Sequence, residues 1–320
     1  MKGEIKNPSF AITDPAHKYL FTVSELEHGE GAVGSFAIDR EPGGLKKVNS
    51  QDSGGTAPCH LATDHSGRML MVANYGNGAV SAFPIEADGK LGARSALMTA
   101  TGSSVDPNRQ KGPHAHEVVI SPDNQYAYVP DLGLDQVRIY KLDPSKAALT
   151  EQTPLHVAPG FGPRHIAFSQ DGKFLYVFGE LKTLVAVYKQ NSPNSFDLVQ
   201  TLTSLPGNKQ ADGGAEVILA RNGKHLYTSN RDVAGEGTGS VSVFSVDQAS
   251  GKLQQIQNVA TAGRMPRGME LDPSGHFLLV GDQKAKVIQV FPIGADGKLG
   301  KLAGQYETPS PVSFTFVPAQ

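Results

Sequence analysis

The chain has 320 residues, of which 39% are hydrophobic and 19% charged, so it can bury a sizeable core in one large domain or two smaller ones. Its formal net charge of −2 argues against nucleic acid or an anionic membrane as the main partner. The single cysteine, Cys59, excludes an intrachain disulfide, and the lack of an apolar run of about 18 residues predicts no transmembrane helix.

A two-strand pattern recurs along the chain. Each copy has an apolar run, a turn rich in Gly, Pro, Asn or Asp, and a second run with alternating apolar residues, which predicts a β-hairpin. In chain order the copies are AITDPAHKYLFTVSE (11–25), LATDHSGRMLMVANY (61–75), VVISPDNQYAYVPDL (118–132), IAFSQDGKFLYVFGE (166–180), VILARNGKHLYTSNR (217–231) and MELDPSGHFLLVGDQ (269–283). A further strand is predicted at GAVSAFPI (78–85), DQVRIYKL (135–142), TLVAVYKQ (183–190), GSVSVFSV (239–246) and AKVIQVFPI (285–293).

With a polar fourth strand, each unit spans about 50 residues, which is typical of a β-propeller blade. The pattern predicts an all-β fold, a seven-bladed β-propeller with four-stranded antiparallel blades, in a single domain over residues 1–320. A solenoid of hairpins is the alternative. After six complete units, PVSFTFVP (311–318) is predicted to form one more strand. We therefore expect the seventh blade to be incomplete or borrowed from a neighbouring chain, and the N-terminus to be short of the strands that would complete it.

Polar residues collect at the start of the first strand and the end of the second. These positions lie at one edge of an antiparallel hairpin, so side chains from successive blades should converge around one mouth of the channel. The two positions before the blocks hold Ser9 and Phe10, Cys59 and His60, His116 and Glu117, Arg164 and His165, Ala215 and Glu216, and Arg267 and Gly268. The last two positions hold Ser24 and Glu25, Asn74 and Tyr75, Asp131 and Leu132, Gly179 and Glu180, Asn230 and Arg231, and Asp282 and Gln283.

These residue types predict a site for an anionic ligand, because arginine forks pair with carboxylate or phosphate oxygens. The expected catalytic residues are His116, Arg164, Glu180 and Arg231, of which His116 and Glu180 can transfer protons. The expected substrate-binding residues are Glu25, His60, Asn74, Tyr75, His114, Asp131, His165, Arg267 and Gln283. The alternative is structural: polar strand ends can face channel water, and Arg–Glu pairs can simply tie blades together.

His114 and His116 stand one residue apart, so on a strand they face the same side. Two histidines can ligate zinc only with a third ligand, which Glu216 or His60 would have to supply. Pro113 and the glycine before it predict a tight turn that explains His114 without metal chemistry. We expect no metal and no cofactor.

Four stretches carry a resemblance to a known family. They are GPHAHEVVISPDNQYAYVPDLGLDQV (112–137), GPRHIAFSQDGKFLYVFGEL (162–181), LYTSNR (226–231) and PRGMELDPSGHFLLVGDQ (266–283). The chain resembles, over nearly its whole length, the propeller-type lactonase family, which includes 6-phosphogluconolactonases and a lactone-forming carboxy-muconate cyclase. The resemblance implies a seven-bladed propeller without a required metal or cofactor, and it assigns functional roles to His116, Arg164, Glu180 and Arg231.

The expected function is hydrolysis of a sugar lactone such as 6-phosphogluconolactone to 6-phosphogluconate. The alternatives are a lactone-forming isomerase of the muconate cyclase kind and a non-catalytic binding propeller. The expected partner is a small anionic lactone or sugar acid, with neither nucleic acid nor membrane, and we expect a monomer or weak homo-oligomer. A cytoplasmic location is expected, and a periplasmic one stays open because the N-terminus is expected to be short.

Overall fold

The computed structural model describes residues 5–27, 31–39 and 44–318. The chain divides into two compact units: unit 1 comprises Met1–Pro159 with Thr315–Gln320, and unit 2 comprises Gly160–Phe314. Each unit contains three four-stranded antiparallel sheets in which strands adjacent in the chain are hydrogen-bonded neighbours. The sheets confirm the predicted blades, whereas the single domain over residues 1–320 stays a prediction.

Unit 1 holds sheets 1 to 3, each made of four consecutive strands. These strands are β1 Ala11–Thr13, β2 Tyr19–Ser24, β3 Ala32–Asp39, β4 Gly44–Asp52, β5 Pro58–Thr63, β6 Met69–Asn74, β7 Val80–Pro84, β8 Ala96–Met98, β9 Val119–Ile120, β10 Tyr126–Asp131, β11 Gln136–Asp143 and β12 Ala148–His156.

Unit 2 holds sheets 4 to 6, built in the same way. Their strands are β13 Pro163–Phe168, β14 Phe174–Gly179, β15 Leu184–Ser192, β16 Ser195–Thr203, β17 Gly214–Leu219, β18 His225–Asn230, β19 Ser240–Val246, β20 Leu253–Ala260, β21 Pro266–Leu271, β22 Phe277–Asp282, β23 Val287–Pro292 and β24 Gly304–Glu307. A short 3₁₀ helix occupies Pro206–Asn208. Across residues 5–27, 31–39 and 44–318, no helix is long and apolar enough to cross a membrane.

The predicted hairpins close through a recurring turn. In sheet 4 the backbone N–H of Ser169 donates to the carbonyl oxygen of Phe174 at 2.8 Å. The turn requires one residue with positive φ, and Gly172 adopts φ of 70° without a steric cost. Asn124 takes the same role in sheet 3 with φ of 58°, a conformation that asparagine tolerates better than most residues. The turn residues visible in the sequence therefore determine where each first strand ends.

The second strand of the middle sheet in each unit is buried because it packs on both faces. In β6, Leu70 and Val72 pack against Phe21 of sheet 1, whereas Met69 and Met71 face the apolar side chains of sheet 3. In unit 2, equivalent clusters lie between sheets 4 and 5 and between sheets 5 and 6. The core of each unit thus lies between facing sheets, which explains why the second runs of the repeat are nearly continuously apolar.

The strand predicted at residues 311–318 is wrong, because this segment has no strand structure. Proline at both ends removes two of the N–H groups that a ladder would need. The first residues of the segment instead pack by their backbone against glycines of sheet 6. A Cβ atom added to Gly268 would lie 2.4 Å from the oxygen of Val312, and one added to Gly281 would lie 2.7 Å from the oxygen of Pro311. Residues 5–27, 31–39 and 44–318 therefore form six sheets and no seventh.

Candidate functional site

The start of the first strand and the end of the second do lie at one edge of each hairpin. Pro58 pairs with Asn74 in sheet 2, and Pro163 pairs with Gly179 in sheet 4. The residue after the second strand also bonds back to this edge, as where the N–H of Glu180 donates to the carbonyl oxygen of Gly162 at 2.7 Å. The predicted positions are therefore neighbours within each sheet.

Several first strands bulge at the predicted polar position. The ladder register shifts at Arg164 in β13 and at Arg267 in β21, and a similar shift occurs at Cys59 in β5. In β17 the shift covers Ala215 and Glu216. A β-bulge bends the strand and changes the direction of a side chain, and bulges are frequent beside active sites. Here the bulges include two of the arginines predicted to face a ligand.

In unit 2, these residues form what we call the arginine cluster: Arg164, His165, Glu180, Glu216, Arg231 and Arg267. One carboxylate oxygen, Oε2 of Glu180, lies 3.1 Å from Nε of Arg164 and 3.1 Å from Nη2 of Arg231. Arg231 is held further by Nη2 donating to the oxygen of Gly214 at 2.8 Å. Arg164 is only 2% exposed, and among the described residues its Nη1 atom has no hydrogen-bond partner. A buried donor without a partner marks a place where a ligand or water can bind.

The arginine cluster carries surplus positive charge, since three guanidinium groups face the two carboxylates of Glu180 and Glu216. Burial lowers the pKa of Arg164 to about 10; the charge of Arg231 adds to the decrease, and Glu180 opposes it. Arg164 therefore remains a cation near neutral pH. A buried cation in excess over its carboxylate partners favours an anionic ligand.

His165 and Glu216 form a close pair in the arginine cluster. Nδ1 of His165 lies 2.7 Å from Oε2 of Glu216. Burial lowers the pKa of His165, with Arg164 acting in the same direction and Glu216 opposing it. Burial alone would raise the pKa of Glu216, but the histidine and the nearby arginines outweigh it and the net shift is downward. The pair therefore favours a neutral imidazole that donates to an ionised carboxylate.

In unit 1, three predicted residues and Arg109 form what we call the tyrosine cluster: Tyr75, Arg109, His114 and His116. The rings of Tyr75 and His114 stack with centroids 4.6 Å apart, and the ring of His116 meets Tyr75 edge-on at 5.5 Å. Nη2 of Arg109 donates to the hydroxyl oxygen of Tyr75 at 3.3 Å. The tyrosine thus links a guanidinium group to the imidazole of His116.

His60 is placed in unit 1 beside Glu117, with Nε2 3.8 Å from Oε1 of the carboxylate. Its Nδ1 accepts the backbone N–H of Val118 at 3.3 Å, and its ring packs against Phe10 at a centroid distance of 3.9 Å. His60 is therefore buried between two first strands.

Asn74 and Asp131 are fully enclosed and bonded within their own hairpins. The amide of Asn74 donates to the oxygen of Ala79 at 3.1 Å, and Asp131 accepts the N–H of His114 at 2.7 Å. Burial raises the pKa of Asp131, although His114 and Arg138 oppose the increase. Both residues thus have contacts that brace strand ends, and substrate binding by them stays a prediction.

Glu25 and Gln283 lie just after the second strands of sheets 1 and 6, where they were predicted, and both are half-buried. The N–H of Gln283 donates to the oxygen of Met265 at 2.9 Å, and that of Glu25 donates to the oxygen of Asn7 at 3.1 Å. These contacts fix the backbone of both residues, and their substrate contacts stay predictions.

The two histidines of the HAH motif do not form a metal centre with any third residue that the structure describes. Over residues 5–27, 31–39 and 44–318, no group of three or more His, Cys, Asp or Glu side chains is arranged to hold a metal ion. Nδ1 of His114 is instead 2.8 Å from the backbone oxygen of Tyr75. The ring orientation of His114 is therefore explained by contacts within the protein.

Sequence reasoning assigned no catalytic or substrate-binding role to four charged residues near these clusters: Arg109, Glu117, Glu216 and Glu270. Glu117 and Glu216 stand at the aligned positions and could have been chosen beside their histidine partners. Arg109 lies in a long loop outside the repeat, where no periodic pattern applies. Glu270 occupies a position that is apolar in the other five copies, and that departure is visible in the sequence.

The carboxyl of Glu270 should make the free energy of unfolding depend on pH. Burial raises its pKa to about 7, Glu216 adds to the increase, and the N–H of Leu271 and the charge of Arg221 oppose it. Because the folded pKa lies above the unfolded value of about 4.3, the stability that the neutral carboxyl contributes is fully present below about pH 4.3 and is lost as the pH rises to about 7. We expect Glu270→Gln to raise the free energy of unfolding at pH 9 by up to about 3 kcal/mol and to change it little at pH 4.

Urea unfolding at both pH values measures this effect. The matched control is Glu307→Gln, which replaces an exposed carboxylate on β24 of the same sheet. Its free energy of unfolding should equal that of the parent at both pH values. A Glu270→Gln protein that is less stable than the parent at pH 9 would show that the carboxylate is held by favourable charge interactions.

Comparison with known proteins agrees with the four-stranded sheets. The sequence model of the family described as "Lactonase, 7-bladed beta-propeller" matches residues 2–316. A 6-phosphogluconolactonase from Bacillus subtilis is 31% identical over 99% of this chain and 89% of its own, and one from Formosa agariphila is 35% identical over 93% and 85%. The solved periplasmic gluconolactonase of Pseudomonas aeruginosa superposes with a TM-score of 0.89 at 32% identity, covering 98% of this chain and 89% of its own. The chain therefore belongs to the lactonase family of seven-bladed β-propellers.

Proposed function

We propose that the protein hydrolyses the internal ester of a phosphorylated sugar lactone, converting 6-phosphogluconolactone to 6-phosphogluconate. The observation that carries this proposal is the arrangement of Arg164, Glu180 and Arg231, in which a shared carboxylate orients two buried guanidinium groups. The names of the relatives support the substrate class, since two are 6-phosphogluconolactonases and a third is a gluconolactonase.

The proposed role of the arginine cluster is to stabilise negative charge. Glu180 is engaged by arginines on both sides, so we assign it to hold Arg164 and Arg231 rather than to transfer a proton. Each guanidinium has five N–H donors in a rigid fork, and the buried Nη1 atom of Arg164 remains without a protein partner in the described structure. Donors fixed in advance stabilise an oxyanion without reorganisation in the transition state.

The proposed role of His116 is acid–base catalysis. Its imidazole takes a proton from water as the water oxygen bonds to the lactone carbonyl carbon, which gives a tetrahedral oxyanion. The C–O bond to the ring oxygen then breaks as the carbonyl re-forms, and the imidazolium returns the proton to the leaving alkoxide. The product is a hydroxy acid that ionises to the carboxylate. A positioned histidine contributes about 10²–10⁴-fold to such a reaction.

Hydrolysis of 6-phosphogluconolactone by the purified protein, followed by acid release at constant pH, tests the proposal. We expect a rate well above the spontaneous one and loss of that rate in Arg164→Ala, since that change removes charge pairing in both the ground and transition states. Tight binding of 6-phosphogluconate without turnover would favour the non-catalytic propeller instead. Lactone formation from a muconate without lactone hydrolysis would favour the isomerase.

Activity is expected to survive removal of metal ions. No step above requires a metal, and His114, one of the two histidines of the HAH motif, is oriented by the backbone of Tyr75. Hydrolysis of 6-phosphogluconolactone should therefore be equal before and after dialysis against EDTA. Activity that EDTA abolishes and zinc restores would contradict this expectation and return the HAH motif to consideration as a metal site.

Domain organisation, cellular location and oligomeric state also belong to the proposed function. We propose a single propeller domain that acts in the cytoplasm as a monomer or weak homo-oligomer. The printed description of one structural relative as periplasmic makes the periplasm the alternative location. Fractionation of cells that express the native gene distinguishes the two compartments.

A further inference from the structure

The connection between β8 and β9, residues 99–118, is long for a loop in a compact fold. Connections longer than about 12–15 residues without secondary structure are uncommon and are usually functional. Its only ladder contact is an isolated bridge from Ala115 to Asp131 in the described structure. This connection joins sheets 2 and 3, and it carries both the HAH motif and Arg109.

Gln110, which is completely buried, holds this loop in place. Its side-chain oxygen accepts the N–H of Asp106 at 3.0 Å, and its side-chain nitrogen donates to the oxygen of Leu132 at 2.8 Å. The hydroxyl of Ser104 adds a contact to Asp135 at 2.6 Å. A buried amide that satisfies both of its ends fixes the residue beside it, so the position of Arg109 is determined by the loop.

The backbone of Arg109 lies in a turn, and its guanidinium group contacts Tyr75 of the tyrosine cluster. Its backbone N–H donates to Oδ1 of Asp106 at 3.0 Å, and its Nη2 donates to the Tyr75 hydroxyl at 3.3 Å. The backbone N–H groups of Asn108 and Arg109 lower the pKa of Asp106, which keeps that carboxylate ionised within the turn. The Tyr75 ring, in turn, meets His116 edge-on. The guanidinium and the proposed base therefore both contact Tyr75, one at its hydroxyl and the other at its ring.

We propose that Arg109 binds the phosphate of the substrate and thereby makes the protein prefer phosphorylated over unphosphorylated lactones. This inference rests on the proposed lactonase function and adds a specificity residue to it. Two features favour a phosphate at Arg109: its planar fork matches phosphate oxygens, and it donates to the hydroxyl of Tyr75, whose ring centroid lies 5.5 Å from that of His116. The reacting carbonyl would then lie toward His116.

The test compares kcat/KM for 6-phosphogluconolactone and glucono-δ-lactone in the parent, Arg109→Met and Lys111→Met. Hydrogen bonds to charged groups contribute about 1.5–3 kcal/mol, so the ratio of the two kcat/KM values should fall at least about 10-fold in Arg109→Met, mainly through KM for the phosphorylated lactone. Lys111 is an exposed cation in the same loop, and its loss should leave the ratio unchanged. An equal fall for both lactones in Arg109→Met, or an unchanged ratio, would overturn the inference.

Calorimetric titration with 6-phosphogluconate separates this inference from the proposed function. If the parent hydrolyses neither lactone, the lactonase proposal fails, but weaker binding of 6-phosphogluconate by Arg109→Met still supports a phosphate site. Equal binding of 6-phosphogluconate by the parent and by Arg109→Met overturns the proposed phosphate site. Should Arg109→Met fail to fold, Arg109→Lys keeps the charge without the fork and should retain part of the preference; full retention would exclude recognition by the fork.

Discussion

Replacing Glu180 with glutamine is expected to lower the free energy of unfolding by about 3–5 kcal/mol and to reduce kcat at least about 100-fold. The carboxylate is 6% exposed and lies 3.1 Å from two guanidinium groups. Glutamine keeps the shape but removes the charge, so Arg164 and Arg231 would face each other as buried cations without the carboxylate that lies between them. The loss of their orientation should also remove the stabilisation of the oxyanion.

The control is Lys173→Met, which breaks the pair between Lys173 and Asp171 in the same sheet. That lysine side chain is 68% exposed, and such surface pairs contribute about 0–1 kcal/mol. Urea unfolding and turnover per folded molecule should both be measured. If Glu180→Gln is destabilised but each folded molecule turns over at the parental rate, the Arg–Glu–Arg arrangement only ties strands together, and its proposed role in catalysis is wrong.

Replacing His116 with alanine is expected to reduce kcat at least about 100-fold, with a smaller effect on KM, because the imidazole is proposed to act only in proton transfer. His116 is buried and its ring contacts the edge of Tyr75, so removal also leaves a cavity. Added imidazole should fill that space and restore part of the rate. Such a rescue distinguishes a missing base from a distorted site.

His65→Ala is the matched control, since His65 is exposed on the turn of sheet 2 and should tolerate the change in both kcat and stability. A His116→Ala protein that retains the parental kcat per folded molecule would exclude His116 as the base. A fall in kcat that imidazole does not restore, together with a large loss of stability, would instead indicate that His116 supports the packing around Tyr75.

Local features explain why the blades could be predicted. The second strands are visible in the sequence as short, nearly continuous apolar runs, because successive residues pack against opposite neighbouring sheets, as Leu70 and Met71 do. Residues that tolerate positive φ, such as Gly172, mark the turns. The false strand at 311–318 shows the limit of this reasoning, because alternation reports a suitable strand but does not report whether a partner strand exists to pair with it.

The sequence by itself determined the six four-stranded units, the edge of each hairpin at which polar residues collect, and the family resemblance, because hairpin geometry depends on residues close together in the chain. Only the tertiary structure decided how those polar residues are used. Bulges turn Arg164 and Arg267 out of the ladder, burial joins Glu180 to two arginines, and a distant carbonyl holds Gln110 so that Arg109 reaches Tyr75. These outcomes depend on contacts between residues far apart in the chain, and neither periodicity nor spacing specifies such contacts.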